Sequence, residues 1–152
     1  MKLENRCLVP AGRDATWALV MDIPRVATCV PGLGDVTTED DGRFQAVMKV
    51  RIGPISLNLA GTIQVLERDE DKGEASFQVE ASDRRVGGSF RTNITMQLAS
   101  QADGQTELLI VSDTNFMGRL GELGQPIIRR KANTTMQDFA RNLARQVNCP
   151  SP

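Results

Sequence analysis

The chain has 152 residues, enough for one domain with a substantial core, and 40% of them are hydrophobic against 24% charged, which excludes wholesale disorder. Its formal net charge of −1 supplies no basic field, so nucleic acid is not expected as a partner. Histidine and tyrosine are both absent, which rules out a Ser-His or Cys-His nucleophile, a histidine-ligated metal and a histidine general base.

Leu3 to Val9 alternates loosely between apolar and polar residues, as a first strand would, and Pro10 stops it. Ala11 to Met21 then reads as a short helix, with Trp17, Val20 and Met21 on one face. Asp22 is placed to cap a second short helix, Ile23 to Cys29, with Pro24 in its first turn, where a missing N–H costs nothing.

From there to about Asn115 the period changes to two. Phe44, Ala46, Met48 and Val50 share one parity. After the turn at Gly53-Pro54, the residues Ile55, Leu57, Leu59, Gly61, Ile63 and Val65 share another. Ala75, Phe77, Val79 and Ala81 follow the charged turn Asp69 to Gly73, and Phe90, Thr92, Ile94, Met96 and Leu98 follow the turn at Asp83-Arg84-Arg85. A last strand runs from Thr106 to Asn115. Recurrent turn signals between such runs describe an antiparallel meander with one apolar face. Gly61 inside a long strand marks a bend or bulge, which lets the sheet curve.

The glycines at 118, 121 and 124 weaken any helix between Met117 and Gly124. Ile127 to Val147 is the longest helical pattern. Its apolar stripe is Ile128, Ala132, Met136, Phe139, Leu143 and Val147, and its wet side carries Arg129, Arg130, Asn133, Gln137, Arg141 and Arg145. A sheet with one apolar face must cover it, and this helix is the only element long enough. The expected fold is therefore α+β: a curved antiparallel sheet of about seven strands, two short N-terminal helices, and a long C-terminal helix. Residues 1–148 form one domain in this reading, and 149–152 a short disordered tail.

This order, with four local stretches, resembles the helix-grip superfamily of START-like and pollen-allergen-like domains, and within it the G-subunit family of carbon monoxide dehydrogenase. The stretches are Val9-Pro10-Ala11 with Trp17-Ala18-Leu19; Asp22-Ile23-Pro24 with Cys29-Val30-Pro31-Gly32; Val50 to Pro54; and Gly118 to Gly124. The resemblance implies an accessory role for a molybdenum carbon monoxide dehydrogenase, linking that enzyme to the membrane. It also implies capacity for an apolar ligand, a quinone such as menaquinone or ubiquinone, with no covalent cofactor. Many members carry a membrane-associating tail past the grip helix, and this sequence stops at Pro152.

Apolar residues of inward parity form a core by default. A sheet curved around a helix leaves room for a cavity, though, and only 4% of the residues are aromatic, so bulky fillers are scarce. The candidate ligand-binding residues are Trp17, Phe44, Met48, Leu57, Leu59, Ile63, Phe77, Val79, Phe90, Thr92, Ile94, Ile128 and Met136. Met117, Leu120 and Leu123 join them as a flexible gate. Arg129-Arg130-Lys131 reads as a solvated helix face that could meet anionic lipid or an acidic partner protein. No catalytic or metal-binding residues are assigned. The charged N-terminus lacks the form of a signal peptide, and three widely spaced cysteines fit free thiols in the cytoplasm, with peripheral contact at the inner face of the membrane. The competing readings are a lipid carrier or solid structural adaptor and a polyketide-cyclase-like enzyme.

Overall fold

The structure, a computed structural model, describes residues 1–40 and 42–148; the expected tail, 149–152, lies outside the described residues. The elements in chain order are β1 (Lys2–Val9), α1 (Arg13–Met21), α2 (Ile23–Ala27), β2 (Thr37–Asp40), β3 (Arg43–Ile52), β4 (Ile55–Asp69), β5 (Glu74–Asp83), β6 (Gly88–Ser100), β7 (Thr106–Gly118), α3 (Arg119–Glu122) and α4 (Gln125–Asn148). All seven strands form one antiparallel sheet in the order β1-β7-β6-β5-β4-β3-β2. The chain is an α+β helix-grip fold, as its alternation and its terminal helix predict.

Local chemistry sets the element ends. Helix α1 starts at Arg13 and not at Ala11, because the Thr106 hydroxyl donates to the Ala11 carbonyl at 2.7 Å and holds that residue against β7. Asp22 caps α2 as expected, accepting from the Arg25 N–H at 3.4 Å. Strand β2 has no individual sequence signal: Thr-Thr-Glu-Asp is exposed throughout, and edge pairing with β3 alone makes it a strand. Helix α4 begins two residues before the expected Ile127.

Of the bend or bulge expected at Gly61, the bulge lies elsewhere, and Gly61 itself serves a close approach of two strands. It stands opposite Ala81, and a Cβ at Gly61 would lie 2.0 Å from the Glu80 carbonyl oxygen and 2.7 Å from the Ala81 Cβ, so β4 and β5 pinch together at this point. The bulge itself falls between Val65 and Glu67, leaving Leu66 outside the ladder and exposed. Beyond Ala60 the β4–β5 ladder stops, and the buried Asp83 side chain continues it by accepting from the Asn58 N–H at 2.8 Å. The same carboxylate accepts from the N–H groups of Arg85 and Val86, which closes the β5–β6 turn.

The stripe on α4 meets the concave face of the sheet. Phe139 and Leu143 are buried in a core with Val9, Ala75, Phe77, Leu98, Leu108 and Ile110, together with Trp17, Leu19 and Val20 of α1. Every residue assigned to the wet side of α4 is exposed. A second, smaller core of Ile52, Leu57, Leu59 and Leu120 sits at the β3–β4 hairpin end of the sheet.

Candidate functional site

Between the two cores lies a cavity of about 290 Å³, open on one side. Its floor comes from the inward positions of four strands: Met48 on β3; Leu59 and Ile63 on β4; Phe77 and Val79 on β5; and Phe90, Thr92, Ile94 and Met96 on β6. The register explains why space remains. Ala46 pairs with Gly61, and Gly61 with Ala81, so three small residues lie side by side across adjacent strands. Where larger side chains on neighbouring strands would meet the helical layer, this row leaves a gap.

The roof is mainly the N-terminal helices. Val20 of α1, Ile23, Val26 and Ala27 of α2, and Val30 and Leu33 of the following loop cover the space, and α4 contributes Phe139. The loop is fastened to β3 by Lys49 N–H to Gly32 O at 2.8 Å and Gly34 N–H to Val47 O at 2.9 Å. Gly32 is required there: its φ is +82°, and a Cβ would stand 2.2 Å from the Lys49 carbonyl oxygen. The Asn142 side chain then ties Cys29 O to α4 at 3.0 Å.

Thr92 is the one polar side chain among the lining residues. Thr114 donates to its hydroxyl oxygen at 2.8 Å in a buried pair spanning β6 and β7. Each hydroxyl can donate and accept, so the pair uses one of its two protons internally and keeps the other for a further acceptor. None of the lining residues ionises in the physiological range; all but Thr92 are aliphatic, thioether, aromatic or glycine. The two described thiols lie elsewhere. Burial pushes the Cys7 thiol up to about 11 and also raises Cys29, so neither is a thiolate near neutrality. Among the described residues no cluster of His, Cys, Asp or Glu could hold a metal, and no helix is long and apolar enough to cross a membrane.

Eight of the residues expected from parity line this cavity: Met48, Leu59, Ile63, Phe77, Val79, Phe90, Thr92 and Ile94. The other candidates do not. Trp17 and Phe44 are packed into the larger core, and Met136 packs against it. Leu57 and Leu120 belong to the smaller core, with Leu123 against it, and Ile128 is buried outside the lining set. The expected loose gate is a one-turn helix instead. Gly118 and Gly124, at φ +63° and +87°, bracket α3, and Leu120 is 1% exposed, a plug under the Phe90–Phe116 ring pair. Met117 has the opposite parity to Phe116 and is 48% exposed on the outer face. Parity missed the roof residues of α1, α2 and the loop, because strand alternation carries no information about them. The small-residue row could have been found: Ala46, Gly61 and Ala81 all hold inward parity in the sequence.

A broader depression of about 520 Å³ on the outer face, lined in part by Asp35, Thr37, Gln45 and Thr62, is shallow and mixed in polarity. It lacks the enclosure that ligand burial needs.

Comparison with solved structures supports the fold. A conserved protein from Geobacillus kaustophilus superposes with a TM-score of 0.88 at 14% identity, covering 97% of this chain and 95% of that one. A START superfamily protein from Mycobacterium smegmatis gives 0.69 at 12% identity and 97% coverage of both chains. The Zhui aromatase/cyclase of a Streptomyces species also gives 0.69 at 12% identity, covering 97% of this chain and 93% of that one. Comparison with curated proteins returns no match. The profile of the carbon monoxide dehydrogenase G-subunit (CoxG) family matches residues 7–148. Nearly the whole described chain is spanned by that match, and the protein belongs to the CoxG family.

Proposed function

We propose that the cavity holds the ring of an isoprenoid quinone, menaquinone or ubiquinone, and that the protein is a non-catalytic carrier. In this reading it serves as an accessory subunit that supplies quinone to a molybdenum carbon monoxide dehydrogenase and links that enzyme to the membrane. The observation that carries the reading is an apolar cavity whose one polar side chain is the Thr92 hydroxyl. Burying roughly 200 Å² of ring and proximal tail at about 25 cal/mol per Å² gives about 5 kcal/mol of gross driving force. One hydroxyl facing a quinone carbonyl orients the ring and avoids leaving that oxygen unpaired. At about 290 Å³ the cavity is near the lower end of the range for ligand sites, so a long tail would leave through the open side.

The family membership supports the dehydrogenase link. The lining argues for carriage over cyclase-like turnover, since general acid–base catalysis needs a titratable group at the reacting atoms. The cavity likewise argues against a solid adaptor. The test is mass spectrometry of solvent extracts of the purified protein, paired with titration of a short-tailed menaquinone analogue. An isoprenoid quinone in the extract and saturable binding of the analogue are expected. A different lipid class in the extract, with no affinity for the analogue, would refute the quinone assignment.

A further inference from the structure

Strand β1 is one border of the sheet, with β7 on one side and no strand on the other. The Thr114 N–H donates to Met1 O at 2.8 Å, and antiparallel alternation then aims the N–H and C=O groups of Leu3, Asn5 and Cys7 at β7. Those of Lys2, Glu4, Arg6 and Leu8 point the other way, off the border. Among the described residues no hydrogen bond reaches these outward backbone groups. The side chains of the same four residues lie exposed on the outer face, Leu8 at 55%. Leu3, Asn5 and Cys7 face the helical side and are only partly buried.

A bare border is a template for another strand, and edge strands commonly carry charge to repel one. The charges of β1 do not repel an identical strand. Glu4 and Arg6, already paired at 3.3 Å within the chain, flank Asn5 with opposite signs. We infer that two copies of this chain join edge to edge through β1, antiparallel about a two-fold axis at Asn5, into one continuous sheet. In that register Glu4 stands opposite Arg6 of the second copy, and Arg6 opposite its Glu4. Lys2 lays its aliphatic stem beside Leu8 of the second copy. Leu3 meets Cys7 and Asn5 meets its own counterpart in the close, non-hydrogen-bonded pairs, while the outward N–H and C=O groups bond across the seam. The neighbouring registers of the same hydrogen-bonding phase fail. Centring on Glu4 sets Glu4 against Glu4 and Lys2 against Arg6, and centring on Arg6 sets Arg6 against Arg6, so both oppose like charges. The other border, β2, reads Thr37-Thr38-Glu39-Asp40 and has no base to offer an identical strand. An isologous contact of this kind closes at two copies. A seam one strand long is small beside a standard interface, so the pair should separate on dilution. No residue of β1 lines the cavity, so ligand binding should be the same in both states.

Sedimentation velocity of the untagged chain over a wide range of concentration tests this, paired with amide hydrogen exchange. A reversible dimer is expected. As it forms, the Glu4 and Arg6 amides should gain protection of about tenfold or more, while those of Leu3, Asn5 and Cys7 are protected throughout by β7. Glu4→Arg gives a chain with two positive side chains at the seam, and Arg6→Glu a chain with two negative ones. Each alone should associate about tenfold more weakly, and an equimolar mixture of the two should recover the dimer. Glu4→Pro removes one outward N–H without touching the β7 ladder and should abolish association. An unchanged thermal midpoint confirms that each variant keeps its fold. A monomer at every concentration overturns the inference, and so does growth beyond two copies, which would mark β1 pairing with β2. A dimer whose Glu4 and Arg6 amides stay unprotected, or whose two charge variants fail to associate on mixing, is joined elsewhere and overturns it equally.

Discussion

Replacing Ala81 by leucine should fill the cavity from its floor. Ala81 lines the space and sits in the small-residue row beside Gly61, so the added side chain has the void in front of it. It introduces roughly 80 Å³ at interior packing density, a substantial part of the 290 Å³ present. Three displaced ligand carbons at about 0.8 kcal/mol each come to about 2.4 kcal/mol, roughly fiftyfold in Kd. The fold should lose only about 1 kcal/mol, the low end of overpacking costs, because the side chain enters empty space. Binding of a short-tailed menaquinone analogue can be followed by quenching of Trp17, which lies one helical turn from the cavity-lining Val20. All proteins must share one detergent concentration, since quinones partition into micelles. Arg145→Ala, on the exposed face of α4, is the control and should bind as the parent does. Equal affinity in the parent and in Ala81→Leu, with the fold intact, would show that the ligand rests outside the cavity and would refute the reasoning.

Other outcomes follow from the same geometry. Thr92→Val removes the cavity's hydroxyl and should weaken the quinone analogue by about tenfold, one neutral hydrogen bond, while leaving a hydrocarbon probe of similar size unaffected; parallel titrations of the two probes decide it. Asp83→Asn should destabilise the fold at neutral pH. Hydrogen bonds from the backbone, led by Asn58 N–H, and the nearby Arg85 hold its carboxyl below the usual value of 3.8, outweighing the upward push of burial. A depressed folded pKa contributes stability above the unfolded value that is lost as pH falls through the folded one. The gap between variant and parent thermal midpoints should therefore close in acid, and a gap independent of pH would contradict the assignment. Gly61→Val should cost roughly 3 kcal/mol or prevent folding, since its Cβ would collide with the Glu80 carbonyl; urea denaturation measures this.

Much of the architecture can be read without coordinates, because periodicity is a local property. The α4 stripe, the inward parity of β3 to β6 and the Asp22 cap all appear in the structure where the sequence places them. So does the chemical character of the interior: a chain without histidine or tyrosine, folded on these parities, can surround a cavity only with apolar groups and an occasional hydroxyl. Alternation tells which face of a strand is dry. It does not tell how far away the opposing layer stands. That distance depends on side chains brought side by side by register, and Ala46, Gly61 and Ala81 are widely separated in sequence. Tertiary structure alone therefore decided that the void lies under α1 and α2, with Phe139 as the contribution of α4. It also decided that Thr92 meets Thr114. Each of these is a coincidence in space between residues far apart in the chain, and only closure of the sheet against its helices brings them together.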